Sequence, residues 1–451
     1  MTGPVTKDNP RFMIVGGGLA GALMANYLGK AGHEVAVYEK RPDLRTAKIV
    51  TGRSINLALS VRGIHALTEI GVADEVMADA VPMPGRMIHD LDGRLNFQPY
   101  GQSGQAINSV SRAGLNIILL NTAERYETVS LQFNHKCVDV DLDTPAADFL
   151  NSETGERTRA EADIILGADG AFSAVRNRMQ RLDRFSYSID YLEHGYKELI
   201  IPPSPGGGFR MEKNALHIWP RRSYMMIALP NADGSYTVTC FWRHEGPNSF
   251  ANLTTIEAVQ DYFREHFHDA VPHMPTLTDD YFENPVGSLA TVRCGPWIYQ
   301  DKIALMGDAA HAVVPFYGQG MNAAFEDCTA LNECLANYAP DYARALKTYY
   351  DLRKENADAI ADLAIGNFIE MRDHVGSRAF LRKKRLEKLL HRLFPNWYIP
   401  PYTMVSFTRI PYAETVRRAA RQDRIVRRAS RILILFVLAI IIIVFIVLNG
   451  C

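Results

Sequence analysis

Three observations predict an α/β fold with an inserted α+β unit. The apolar run Arg11 to Val15 leads straight into Gly16-Gly17-Gly18-Leu19-Ala20-Gly21, which opens a helical pattern through Leu23, Met24, Tyr27 and Leu28. A second strand pattern, Glu34 to Tyr38, ends at Glu39, about 20 residues after the glycines, where a carboxylate accepts from ribose hydroxyls. Far downstream, Lys302 to Met306 reads as another buried strand that runs into Gly307-Asp308 and then a helix over Ala323 to Tyr338. Strand, glycine loop, helix, strand and acid in this order make a Rossmann-like dinucleotide site.

The elements follow in order. The glycines of the first loop allow a tight turn and close backbone approach to a pyrophosphate, and the helix start adds partial positive charge. Asp163 to Arg176 repeats the pattern of an apolar strand and a Gly-x-Asp-Gly turn, with Ser173 as the N-cap of the helix that carries Arg176. Pro202 to Gly208 is glycine-rich, but no strand feeds it and its prolines oppose a following helix, so it reads as a loop and the chain holds one dinucleotide. Leu216 to Trp219, Tyr224 to Leu229 and Tyr236 to Trp242 read as antiparallel strands, the last two joined by Asn231-Ala232-Asp233-Gly234. These strands suggest a substrate unit whose sheet covers the ligand site. Helices are expected over Tyr342 to His374 and in the basic stretch around Leu381 to Leu393.

The chain has 451 residues and a formal net charge of −1, so it can bury a sizeable core and gives no reason to expect nucleic acid. Its six cysteines show no metal-ligand spacing and read as packing residues in a reducing compartment. Ile432 to Leu448 carries no charged or hydrogen-bonding side chain, and as a helix it would span roughly 26 Å, close to a hydrocarbon core. Arg417, Arg418, Arg421, Arg424, Arg427, Arg428 and Arg431 precede it as a cationic stem. The expectation is a C-terminal tail anchor in a lipid bilayer, with the folded part on the cytosolic side.

The trio of Gly16 to Gly21 with Glu39, Asp169-Gly170 and Gly307-Asp308 resembles the single-component FAD-dependent aromatic hydroxylases. Within that family, Gly52 to Ser60, Arg86 to His89, Ser109 to Arg112, Pro315 to Asn322 and Tyr402 to Val405 resemble the branch that acts on kynurenine. The resemblance implies an FAD enzyme that uses NADPH and O2 to hydroxylate L-kynurenine at ring C3. If the source is eukaryotic, it also implies the mitochondrial outer membrane. FAD contacts are implied for Gly16, Gly18, Leu19 and Gly21, for Tyr38, Glu39, Lys40 and Arg41, and for Ala58, Arg112, Asp169, Asp308, Met321 and Asn322. The amino-acid end of the substrate falls on Arg86, Tyr100, Asn367 and Tyr402, and its ring side on Phe316, Tyr317 and Met371.

On spacing alone Arg86 reads as a surface arginine on a loop after Pro82 and Pro84; the resemblance reverses that, and a guanidinium suits a carboxylate. Tyr100 and Tyr402 suit phenolic donors or core tyrosines equally, and Asn367 shares a helix face with Met371. His311 reads as a structural histidine beside the flavin loop. No nucleophile, triad or metal cluster is expected, because the flavin carries the hard step. The implied organisation is an FAD-binding domain of 1–75, 105–180 and 290–340, and a substrate domain of 76–104 and 181–289. A helical region over 341–408, a stem over 409–431 and a membrane segment over 432–448 complete it. Another phenolic or indolic substrate, or a membrane-anchored flavoprotein without turnover, stand as the alternatives.

Overall fold

A computed structural model of the chain describes residues 9–46, 56–102, 104–374 and 378–449, with the backbone alone at 373, 374, 378–381, 433, 434, 444 and 446–449. The motif that begins at Gly52 therefore enters the described structure at Asn56.

Phe12–Val15, Ile164–Gly167 and Ile303–Leu305 are buried along their whole length, as strands covered on both faces must be. They sit in a six-stranded sheet with the order Ile298–Tyr299, Ile303–Leu305, Ile164–Gly167, Phe12–Val15, Val35–Tyr38, Val129–Gln132, in which only the first pair is antiparallel. Register decides the function of this layer. Val15 lies opposite both Gly167 and Tyr38, and Gly167 lies opposite Leu305. The loops after these strands thus leave one carboxyl edge together, bringing Gly16, Glu39, Asp169 and Asp308 to a common rim, where open α/β sheets bind ligands. The helices Leu19–Lys30, Arg112–Ala123, Gly320–Tyr338 and Tyr342–Ile369 contribute to the core around this sheet.

A seven-stranded sheet forms the second layer, in the order Gly287–Gly295, Ser186–Ile201, Tyr236–Arg243, Met225–Pro230, Leu216–Pro220, Gly85–His89, Leu95–Pro99. Its pairings are antiparallel except that Gly85–His89 runs parallel to Leu216–Pro220. Arg86 is therefore on a strand and buried, and the surface-loop reading of that residue is corrected. Two proline neighbours hid the strand, yet Pro82 lies in the short strand Val81–Met83 and Pro84 just before Gly85. One face of the sheet buries Trp219, Trp242, Phe263 and Phe267 with the helix Ile256–His266. The other face presents Ile88, Ile218, Met225 and Phe241 to Phe316, Tyr317, Phe368 and Met371.

The helix expected over Tyr342 to His374 is α-helical over Tyr342–Ile369 and widens to a π turn at Glu370–His374. Such turns recur at functional sites because they re-aim the side chains that follow. Pro401–Phe407 is a short helix that carries Tyr402, and Tyr412–Asn449 is one continuous helix. Among the described residues no helix is long and apolar enough to cross a membrane. The span expected over 432–448 is thus not carried by them, and several side chains of that run lie outside the described ones.

Candidate active site

The first motif is built by backbone sterics. Gly16 has φ +108°, and a Cβ on Gly21 would stand 1.9 Å from the carbonyl oxygen of Gly16. Gly18 precedes the helix Leu19–Lys30 with no side-chain cap, and a Cβ there would meet nothing within 4 Å. The first N–H groups of that helix therefore receive no side-chain cap. Glu39 is buried; it accepts from Gly17 N–H at 2.8 Å through Oε2 and from Arg41 N–H and Nε at 3.0 and 2.8 Å through Oε1. Burial pushes its carboxyl up, but the hydrogen bonds and charge of Arg41, with Gly17, outweigh this and hold it below the usual carboxylate range. Tyr38 stacks on Phe149 at 4.0 Å, and Lys40 and Arg41 are exposed beyond it.

Ser173 caps the next helix as expected, accepting from Arg176 N–H at 3.0 Å, and Asp169 Oδ2 accepts from Ala174 N–H at 2.6 Å. Its Oδ1 is buried without a partner, and burial pushes the carboxyl up. Arg176 joins this loop to the third motif, donating to the carbonyl oxygens of Ala171 at 2.6 Å and Ala309 at 2.9 Å. Gly307 has φ +55° and sits so close to Ala20 and Ala324 that a Cβ would be 3.2 Å from each methyl. Asp308 is exposed at the rim.

Asp327, buried, holds that loop from below. It accepts from Gly307 N–H at 3.0 Å, pairs with His311 Nε2 at 2.5 Å and accepts from Arg353 Nε at 2.7 Å. Arg353 also reaches Glu326 at 3.2 Å, and Glu326 pairs with Arg62, which donates to the carbonyl oxygens of Val405 and Ile410. His311 stacks on Trp297 at 5.0 Å. Its imidazole is spent on this buried network, in keeping with a structural histidine.

The Asn322 side chain is buried and taken up by backbone groups. Its Oδ1 accepts from Ser60 N–H at 2.9 Å and its Nδ2 donates to the carbonyl oxygens of Ala58 and Gly318 at 2.8 and 2.9 Å. The side chain is therefore a backbone brace, and what it leaves free is the N–H at the start of the helix Gly320–Tyr338, next to that of Met321. Arg112 is exposed at the start of its helix, which Ser111 caps.

The residues expected at the substrate form a second cluster beside this rim. Tyr100 stacks on Tyr402 at 4.8 Å, and Tyr402 on Tyr317 at 5.5 Å. The Arg86 guanidinium lies 5.3 Å from the Tyr100 ring and 5.8 Å from the Tyr402 ring. It is 9 % exposed and, among the described residues, has no carboxylate partner. Burial raises the phenols of Tyr100, Tyr317 and Tyr402, so all three keep their protons at neutral pH. Phe316 stacks on Phe368 at 4.0 Å and meets Phe241 edge-on at 4.9 Å. Asn367 Nδ2 donates to the Phe316 carbonyl oxygen at 2.7 Å and contacts Met371 Sδ at 3.2 Å. A cleft of about 510 Å³ reaches Tyr317, Asn367 and Tyr402 from outside, between the long helix and Lys383, Lys384 and Glu387.

Residues 11–364 match the family model described as an FAD binding domain. Curated kynurenine 3-monooxygenases from Anopheles gambiae and Dictyostelium discoideum are 47 % and 48 % identical to the chain over 418 residues. The alignments cover 92 % of this chain and 85 % of the first relative, and 90 % of both chains for the second. The chain belongs to the kynurenine 3-monooxygenase family. The Sus scrofa member is 43 % identical over 92 % of this chain and 88 % of its own. Among solved structures, the tetrameric form of 2-methyl-3-hydroxypyridine-5-carboxylic acid oxygenase superposes with a TM-score of 0.67 at 22 % identity, covering 83 % of this chain and 96 % of that one. The p-nitrophenol 4-monooxygenase from Pseudomonas putida gives 0.64 at 18 %, covering 85 % and 94 %. These two show the shared fold.

The rim of this kynurenine 3-monooxygenase family member fits FAD on its own geometry. Asp169 offers a buried unpartnered oxygen, and two uncapped helix starts offer N–H groups. Sequence reasoning missed Phe241 and Phe368, which complete the aromatic wall; the signal was the period-two face of Tyr236–Arg243 that carries Thr237, Thr239 and Phe241. It also missed Arg62, Glu326, Asp327 and Arg353, whose partners are too far apart in sequence to read as a pattern. Gly21→Ala is expected to weaken flavin retention about tenfold or more, since relieving that contact must cost at least about 1.4 kcal/mol. The flavin-to-protein absorbance ratio after gel filtration measures it, and normal retention would contradict so close an approach of Gly21 to Gly16.

Proposed function

We propose that the chain is an FAD-dependent monooxygenase that hydroxylates L-kynurenine at ring C3 to 3-hydroxykynurenine, in tryptophan catabolism. One atom of O2 enters the ring and the other leaves as water while NADPH is oxidised. When bound, FAD supplies the passage of reducing equivalents from NADPH and the activation of O2. The observation that carries the substrate reading is Arg86, a buried guanidinium without a carboxylate partner among the described residues, which a substrate carboxylate would complete.

In this reading Tyr100 and Tyr402 donate phenolic hydrogen bonds to the same carboxylate, and Asn367 holds the amino-acid end. Phe316, Tyr317 and Met371 orient the aromatic ring, and with Phe241 and Phe368 they keep water from it. FAD is held by Gly16, Gly18, Leu19 and Gly21, by Tyr38 to Arg41, and by Ala58, Arg112, Asp169 and Asp308, with Met321 and Asn322 acting through their N–H groups. The residues 1–75, 105–180 and 290–340 form the flavin unit, and 76–104 and 181–289 the substrate unit. The region 341–408 closes the pocket.

Purified protein supplied with NADPH and O2 tests the reading. L-Kynurenine should stimulate NADPH consumption and yield 3-hydroxykynurenine. Peroxide without product would instead indicate another phenolic or indolic substrate, and absence of flavin reduction a non-catalytic flavoprotein.

We further propose that the 432–448 run anchors the protein in a bilayer, with the catalytic part on the cytosolic side. The apolar sequence, the arginine stem and the exposure of Leu435, Phe436, Ile443 and Phe445 support it. Deleting residues 432–451 is expected to move the protein from the membrane pellet to the supernatant; retention in the pellet would refute the anchor.

A further inference from the structure

We propose that the outward face of the helix Arg378–Leu393 and of the turn behind it, formed by Leu386, Leu389, Leu393, Phe394 and Trp397, is a docking surface for an anionic phospholipid bilayer. The proposal rests on reading 432–448 as a membrane anchor, but it concerns a separate surface of the catalytic body. That surface is strongly apolar, since these five side chains are 44 %, 52 %, 59 %, 52 % and 44 % exposed. They are contiguous along one side of the element, because Leu386, Leu389 and Leu393 follow helical spacing.

The inward side is fixed by polar contacts. Glu387 is buried and paired with Lys383 at 3.7 Å and Lys384 at 3.2 Å; His391 Nδ1 is 2.7 Å from the Tyr398 carbonyl oxygen. Lys383, Lys384 and Glu387 line the cleft that reaches Tyr317, Asn367 and Tyr402. The helix therefore stands with one side to the cleft and the other to the exterior.

Charge selects the occupant. Glu387 is the one acid among residues 378–393, and it points inward. Arg382, Arg385, Lys388 and Arg392 are exposed around the leucines. An apolar stripe among cations suits the boundary between phosphate headgroups and acyl chains, where arginine and lysine stems lie along the surface and their charges reach the phosphates. Position agrees with chemistry. Arg418 donates to the Asn396 carbonyl oxygen at 3.1 Å and Gln422 to that of Trp397 at 2.9 Å. The turn is thus tied to the helix Tyr412–Asn449, whose arginine stem leads to the apolar run. The apolar run starts at Ile432, ten residues and roughly 15 Å along this helix beyond Gln422, so a tilted tail helix brings the face to the bilayer that holds it.

Trp397 reports on the contact, because Trp219, Trp242 and Trp297, the other three tryptophans, are 0 % exposed. The full chain is reconstituted into vesicles of phosphatidylcholine and phosphatidylserine with brominated acyl chains, and flotation is measured beside tryptophan emission. The expected result is quenching of the share due to one tryptophan in four, absent in Trp397→Phe. It should be smaller in Leu386→Gln/Leu389→Gln and in vesicles without phosphatidylserine. Flotation with no quenching, or with quenching equal in Trp397→Phe, overturns the docking surface and leaves the anchor standing. Failure to float overturns both. Quenching lost only as a concentration-dependent dimer forms would assign the face to a second copy of the chain and likewise overturn the proposal.

Discussion

Arg86→Ala is expected to raise KM for L-kynurenine by roughly 10- to 150-fold while FAD occupancy stays normal, the equivalent of about 1.5 to 3 kcal/mol for a charge-assisted hydrogen bond in a partly buried site. The fold should tolerate the change. The pairing of strand Gly85–His89 uses backbone groups, with Arg86 opposite Leu216 and Gln98, and Tyr100 and Tyr402 keep their own ring stack when the guanidinium over them is removed. Removing a buried cation that has no carboxylate partner among the described residues also removes a desolvation cost from the free enzyme. Arg86→Lys should recover part of the loss, since a point charge replaces a two-pronged donor. Steady-state kinetics and the flavin spectrum decide the matter together, and an unchanged KM would remove Arg86 from the substrate site.

Asp327→Ala should destabilise the protein by about 3 to 5 kcal/mol, the cost of breaking a buried ion pair from one side. It leaves Arg353 with Glu326 as its remaining carboxylate, takes the buried partner from His311 and frees the N–H of Gly307, so flavin release should accompany the loss. Thermal unfolding followed by flavin fluorescence measures both. The same carboxylate predicts an acid dependence. Burial pushes Asp327 up, but His311 and Arg353 outweigh it and set the folded-state value below the ordinary one. Its contribution is thus full above the unfolded carboxylate value of about 4 and drains as pH falls through the lower folded value. His311→Gln leaves a donor for Asp327 and should keep turnover wherever FAD stays bound. Loss of hydroxylation with normal flavin reduction would instead make His311 a proton-transfer group.

The flavin rim was legible because its chemistry is local. The loop from Gly16 to Gly21 starts, and Glu39, Asp169 and Asp308 stand, within three residues of the end of an apolar strand, and parallel pairing aligned those ends. The second sheet was half legible. Leu216–Pro220, Met225–Pro230 and Tyr236–Arg243 carry compact apolar runs, whereas Ser186–Ile201 interleaves Asp190, Glu193, Lys197 and Glu198 with its apolar residues and breaks register near Gly195. Its partner across the sheet, not its own pattern, makes it a strand. Asn322 stands at the rim where the motif puts it, and the bonds of its amide to Ser60, Ala58 and Gly318 are ones no local pattern announces.

The order of strands in the seven-stranded sheet bears on how the molecule comes apart. That sheet draws on residues 85–99, 186–243 and 287–295, while the six-stranded sheet draws on 12–38, 129–132, 164–167 and 298–305. The chain crosses between them repeatedly, so neither sheet is a segment that a protease could excise. A single cut in the exposed loop at 205–208 should leave two fragments that travel as one particle under native conditions and part only in denaturant.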